Sequence, residues 1–384
     1  MTPPTTGQLQ GRTYPTYLAA AVLGLLLSSF ASNARGPVFP DILASLAISD
    51  GAGGLMFSAT CAGSLTGSMF FQRLMRRWSS MRSMQLGLFV AWAGLMGVSD
   101  AWNLASLLGA SFVFGIGSGG LSLAQNLMID EASSGPGRRR WYAVLHSVYG
   151  LASLGSPIAV VALGSADGAW RGSMQLLAIP VLVLALGLLA ATPLPRRDPG
   201  KHGASASSPL GRRAWVLALM AGCAVCAELV ISTRLVLLCR RLGYDEASAA
   251  AHLTGFFVAL LSSRLLLGVL KTTIANRRLV AFSLAGAGIA AALGLLVDPL
   301  FLAVVAFPLG PFFPATMDMI SEEFGEKTPR VVANMIVVVS LMLATTHALV
   351  GGLSDVVGLK DALWVCPILL CLGLPLLWWS GRRR

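Results

Sequence analysis

Twelve runs of about 20 mostly apolar residues follow one another along the chain, and each is long enough to cross the ~30 Å hydrocarbon core of a bilayer as a helix. They cover 15–43, 52–75, 82–98, 104–129, 140–164, 172–192, 214–239, 247–270, 279–296, 299–321, 329–353 and 361–380. In lipid every backbone N–H and C=O must find a partner within the chain, so uninterrupted spans of this length are helices. Composition agrees. Of 384 residues, 55% are hydrophobic and 12% charged, whereas a soluble chain carries roughly twice that charge. The expectation is an all-α integral membrane protein with twelve transmembrane helices. Disordered, collagenous and disulfide-scaffold classes are excluded, as is a cytosolic enzyme. The six Cys are not spaced as a disulfide framework.

Charge fixes the orientation. With the N-terminus inside, 21 of the 28 Lys and Arg fall in cytoplasmic segments and four in outer ones, namely Arg171, Arg240, Arg241 and Lys360. Arg35, Arg234 and Arg264 lie inside spans. This asymmetry is a positive-inside signal, and an error in the helix count would scramble it. Both termini are therefore expected in the cytoplasm of a multi-pass plasma-membrane protein, the inner membrane in a bacterium. The net charge of +11 reads as a basic cytoplasmic face against anionic lipid headgroups, with no nucleic-acid partner. The first apolar run is too long for a cleavable signal peptide.

The longest polar stretch, 193–213, is basic and rich in Ser, Gly and Pro, which predicts a flexible cytoplasmic linker. It divides the chain into six-helix bundles at 1–192 and 214–384. The halves echo each other: Arg73, Arg76 and Arg77 follow the second span, and Lys271, Arg277 and Arg278 follow the eighth. Paired repeats of this kind place a substrate near the bilayer midplane, between the halves.

Four stretches carry a family likeness. They are Ser32-Asn-Ala-Arg-Gly-Pro-Val-Phe-Pro40; Gly115-Ile-Gly-Ser-Gly-Gly120 with Gln125, Asn126, Arg138–Arg140, His146, Gly150 and Ser156-Pro157; Ala227-Glu228; and Gly310-Pro-Phe-Phe-Pro314. On these the chain resembles the major facilitator superfamily, and within it the fucose permease-like branch. The resemblance implies two pseudo-symmetric six-helix bundles and a monomeric transporter of a small-molecule substrate, coupled to a proton or another ion. It implies no cofactor. The loop signature of the superfamily is degenerate here at Gln72–Ser80, and two acids of that branch fall on Gly36 and Ser122.

Charges inside a span cost roughly 2.5–3.5 kcal/mol each on insertion scales and mark functional sites by default. Five qualify: Arg35, Glu228, Arg234, Arg264 and Asp318. Glu228 lies near mid-span, with Arg234 further out. The resemblance sets helix 1 across from helix 7, which brings Arg35 opposite Glu228 as a substrate- or proton-binding pair, or as a structural ion pair. Arg264 and Asp318 sit at similar depth in helices 8 and 10 and read as a structural pair or inner gate. Asn33 is a further candidate because Gly36, Pro37 and Pro40 make its segment prone to break, and a break frees carbonyls to line a cavity. Gly310, Pro311 and Pro314 create a second such place. Asn126 and His146 are weaker candidates, each as easily a packing residue. The glycines of helix 4 also fit close helix packing. Cys223 and Cys226 have no second ligand pair and read as packing, and no metal site is expected.

Three functions fit. The first is a proton-coupled carrier of a small polar solute such as a sugar or organic anion. The second is efflux of amphipathic compounds, which Phe257, Phe312 and Phe313 would suit. The third is a membrane sensor or scaffold without transport.

Overall fold

The computed structural model describes residues 14–133, 135–163, 169–191, 211–269 and 274–381. Among them there is helix and no strand. The helices are α1 Pro15–Ala34, α2 Phe39–Leu46, α3 Asp50–Leu74, α4 Ser80–Ser99, α5 Leu104–Ala132, α6 Gly135–Leu163, α7 Ala169–Gly187, α8 Arg212–Arg241, α9 Glu246–Val269, α10 Asn276–Leu296, α11 Leu300–Val304, α12 Ala306–Leu309, α13 Phe312–Phe324, α14 Thr328–Val357, α15 Leu359–Ala362 and α16 Val365–Ser380. The twelve apolar runs account for all of them, because three runs are broken helices. The first run is α1 and α2, the tenth α11 to α13, and the last α15 and α16.

The breaks fall where the backbone chemistry requires them. α1 stops at Ala34, Arg35 to Val38 form a turn, and α2 begins with Pro40 in its first turn. Proline there gives up an N–H that has no partner in a helix's opening turn anyway. α2 ends on Ala47 at φ 49°, a left-handed residue whose N–H returns to the Ala44 carbonyl. In the tenth run, Pro308, Pro311 and Pro314 each lack an N–H for the helix ladder, and Gly310 lets the broken segment press on α9. A Cβ at Gly310 would lie 2.7 Å from Ser263 Oγ.

The surface is that of a membrane protein. Among the described residues, ten stretches are long and apolar enough to span on composition alone. α3 and α4 match them in length at 25 and 20 residues. On α7, Leu176, Ile179, Val183 and Leu186 form an exposed apolar stripe at helical spacing, which only lipid can cover without penalty. Trp78, Trp102, Trp215 and Trp378 are exposed at helix ends, where an indole sits at headgroup depth.

Two compact units emerge from the packing. The first comprises the described residues of Met1–Ser32, Ala62–Ser156 and Arg171–Ala206. Its tightest seam joins α4 to α5 through glycine. A Cβ at Gly94 would lie 2.2 Å from the Phe114 nitrogen, and one at Gly117 would lie 2.3 Å from the Ala91 nitrogen. Gly63 and Gly67 of α3 press equally closely on the Phe112 and Ile116 carbonyls. The glycines of the fourth span, α5, therefore serve helix packing. Arg171 Nη1 ties α7 to the Ser99 carbonyl at 2.5 Å.

The second unit comprises the described residues of Asn33–Cys61, Pro157–Trp170 and Ser207–Arg384. It thus gathers α2 and the first half of α3 around the C-terminal helices, with α8 at its centre. Most of α8 is buried, including Cys223 and Cys226, which are packing thiols. The segment 193–210 of the expected linker lies outside the described residues.

Candidate functional site

α8 runs through the middle of the second unit and carries two of the intramembrane charges. At 1.5 Å per residue, Glu228 stands about 24 Å from the start of the 30-residue helix and Arg234 about 33 Å. Six residues separate them, so they leave the helix on different faces, and they meet different partners.

Arg234 enters a cluster built around one ring. Its side chain is 1% exposed. Nη1 donates to His347 Nδ1 at 2.8 Å and Nη2 donates to the His347 carbonyl at 2.9 Å. The guanidinium carbon lies 5.8 Å from the centroid of Phe57. His347, on α14, stacks on the same ring at 5.0 Å with an interplanar angle of 25°. Arg35, in the break after α1, is also buried. Its guanidinium lies 5.7 Å from the Phe57 centroid, and Nη1 donates to Thr60 Oγ1 at 2.6 Å. Phe39 closes the ring edge-on at 5.1 Å. Each cation lies within about 6 Å of the ring centroid, where the ring quadrupole attracts it. Gly36 lets the break lie against α8, since a Cβ there would be 3.4 Å from the Ser232 carbonyl. Asn33 accepts the Gly36 N–H at its own carbonyl, 3.4 Å away.

Beside this cluster, toward the turns at Ala47 and Gly358, lies a polar lock. Asp50 at the start of α3 takes Arg241 through both oxygens, 2.5 Å each, and also accepts from Ser354. Asp355, near the end of α14, accepts the Gly51 N–H at 3.0 Å and Ser49 Oγ at 2.8 Å. A carboxylate at the opening turn of a helix is favoured by the unpaired N–H groups there. Glycine makes the approach possible. A Cβ at Gly351 would lie 2.9 Å from the Asp50 carbonyl oxygen, and one at Gly54 would lie 3.1 Å from the His347 carbonyl oxygen.

Glu228 is half-buried and makes no hydrogen bond or ion pair with the described residues. The cation whose charge acts on it is Arg264 of α9. Arg264 is half-buried as well, and its buried Nε has no hydrogen-bond partner. The expected pairing of Arg35 with Glu228 is therefore not made. The break at Arg35 turns that guanidinium to α3, where Thr60 and Phe57 take it. Nor does Arg264 pair with Asp318. Asp318 accepts from Asn276 Nδ2 at 2.7 Å, in a surface groove shared with Leu267, Leu279 and Ser321. The breaks before α13 set its face toward α10.

Asn126, in the first unit, is exposed. Its amide donates back to the Ser122 carbonyl at 2.7 Å, and its own carbonyl accepts Tyr142 Oη at 3.1 Å. His146 lies in α6, but its side chain is outside the described residues. Of the three phenylalanines considered for an amphipathic solute, Phe257 and Phe312 are packed in the core and Phe313 is exposed.

Sequence reasoning missed Phe57, Asp50, Ser354 and Asp355. A signal was present: Asp50-Gly-Ala-Gly-Gly54 and Gly351-Gly-Leu-Ser-Asp355 both set an acid beside paired glycines, the composition of two helix ends that cross closely.

A bundle of broken and unbroken spanning helices, with ionisable groups buried at mid-depth, is the construction of a multi-pass solute transporter. The sequence profile of the Major Facilitator Superfamily matches residues 21–340, and the chain belongs to that superfamily. No curated protein matches it in sequence. Solved structures share the fold along nearly their whole length. The E. coli fucose:proton symporter (N162A) superposes with a TM-score of 0.66 at 16% identity, over 97% of this chain and 100% of that one. A D-xylose-proton symporter gives 0.78 at 13%, over 96% and 98%. A bacterial homologue of the human lysosomal transporter Spinster, inward-facing and unoccupied, gives 0.77 at 14%, over 95% and 96%. The fold is one of transporters that take small molecules across membranes, rather than of enzymes.

Proposed function

We propose that the protein is a secondary active transporter that moves a small polar solute by alternating access between its six-helix halves, driven by protons. The observation that carries the coupling is Glu228: a carboxyl at mid-membrane depth that no hydrogen bond or ion pair from the described residues holds in one protonation state, with Arg264 as the charge acting on it. A carboxyl set this way takes up or releases a proton as neighbouring charge and hydration change. Arg264, with an unused buried donor, is the group whose approach or withdrawal does this. The fucose and xylose structures share the fold and are named as proton symporters, which supports the same driving ion. The positive-inside count supports cytoplasmic termini in the plasma membrane, and the protein acts as a monomer among anionic lipids.

The test is uptake into liposomes by the purified protein. Glu228→Gln should abolish accumulation driven by a pH difference while sparing solute exchange, which needs no net proton movement. Accumulation by Glu228→Gln under a pH difference alone would remove the proposal.

A further inference from the structure

Among the described residues, the three polar side chains set against the Phe57 ring are Arg35, Arg234 and His347, and each presents a donor. Arg35 and Arg234 carry N–H groups only. His347 joins them through its tautomer. Arg234 has no lone pair to offer, so His347 Nδ1 must accept its bond at 2.8 Å, and the ring proton belongs on Nε2. The third side face of the cluster is therefore an N–H as well.

Among the described residues no carboxylate contacts Arg234. Its partners are His347 Nδ1, the His347 carbonyl and, at 3.4 Å, Thr233 Oγ1, all neutral. Thr233 in turn gives its proton to the Leu229 carbonyl at 2.7 Å. The carboxylate whose field reaches Arg234 is Asp50, and both of its oxygens are taken by Arg241. A guanidinium 1% exposed, at membrane depth and without a contacting carboxylate, is expensive. A site made of donors alone is matched by a group made of acceptors alone, and a carboxylate or phosphate is such a group.

We infer that the transported solute is an anion, and that its carboxylate or phosphate group binds to Arg234 and His347, with Arg35 across the Phe57 ring. The inference rests on the transporter reading and names its substrate class. Phe57 fixes the spacing of the cations and excludes water, which strengthens their hold on the anion. A neutral sugar, by contrast, presents hydroxyls whose protons find no acceptor among these three side chains. The lock at Asp50 and Arg241 lies directly beside the cluster, so an anion reaches it from that side only when the lock parts.

The test uses the full-length protein in detergent, melted with succinate, with inorganic phosphate and with neutral xylose. At least one anion should raise the melting temperature and xylose should not. Arg234→Gln should weaken that anion's binding on the order of tenfold to a hundredfold, the loss of a hydrogen bond to a charged group. Arg234→Lys, which keeps the charge without the fork, should retain part of it, and it serves as the readout if the Gln variant fails to fold. A shift with succinate alone or phosphate alone distinguishes the two anionic groups. No shift with either anion, or a shift unchanged in both Arg234 variants, overturns the inference. Liposome uptake separates the two readings. Proton-driven uptake of xylose without anion binding leaves the transporter and removes the anion site. Anion binding that Arg234→Gln weakens, without coupled uptake of any solute, keeps the site and removes the proton coupling.

Discussion

The two ends of the second unit are held in different ways. At the Ala47 and Gly358 end, the charge of Asp50 is spent on Arg241 and Ser354, and Asp355 holds the first turn of α3. At the opposite end, Arg213 meets Glu323 at 3.1 Å with both side chains partly exposed, Arg277 donates to backbone carbonyls near the end of α16, and Arg212 lies over Trp379 at 4.3 Å. The first set of ties joins residues up to 306 positions apart in the chain. The second set stays within the C-terminal helices. One end is thus tied from the start of α3 to α8 and α14, across 191 to 306 positions, and the other between helices of the C-terminal part alone, with the Arg213–Glu323 pair 110 positions apart. In the proposed alternating-access cycle the first kind would break and re-form while the second persists.

The sharpest way to break the contrast is through the glycine seam. Gly351→Leu puts a branched side chain where the nearest atoms are the Asp50 carbonyl oxygen at 2.9 Å and Gly51 Cα at 3.1 Å. Backbone cannot yield as a flexible side chain can, and overpacking of this kind costs typically 1–3 kcal/mol. α3 and α14 should separate. Hydrogen exchange of the amides at 51–58 should rise strongly, and the Asp50–Arg241 tie should no longer form. Unchanged exchange would mean that the seam is not what holds this end shut.

Asp50→Asn comes next. It keeps the shape and removes the charge that Arg241 and Ser354 share. A hydrogen bond to a charged group contributes roughly 1.5–3 kcal/mol, and screening trims this because the Arg241 side chain is 45% exposed. Exchange at 51–58 should rise, though less than in the glycine variant, and melting should fall by a few degrees. Addition of salt should reduce the difference between variant and parent.

Much of this contrast could be read from the sequence, and part of it could not. The helix breaks at Arg35–Val38 and around Gly310 follow from proline and glycine, whose effects are local. The depth of Glu228 and Arg234 follows from helix rise. Partner choice does not follow, because each residue of helix turns a side chain by about 100° and a break resets that angle. Arg35 turned to Thr60 and Phe57 rather than to Glu228 for this reason, and Asp318 turned to Asn276 rather than to Arg264. The lock escaped notice because Asp50, Arg241 and Asp355 stand at helix ends, where a charge needs no partner to be tolerated.

The smallest effect is expected at the other end, from Glu323→Gln. The Arg213–Glu323 pair is a single 3.1 Å contact with side chains 39% and 29% exposed. Half-exposed pairs of this sort contribute about 0–1 kcal/mol. The variant should melt within about a degree of the parent and leave exchange at 51–58 untouched. Its value is as a control for Asp50→Asn. Both substitutions remove one negative charge from an otherwise basic protein, so a general electrostatic effect would move them together. A position effect moves only Asp50→Asn, because only that carboxylate is 7% exposed and shared by two donors from different helices. Equal responses of the two variants would erase the distinction between a sealed end and a loosely tied one, and with it the assignment of Asp50 as a lock.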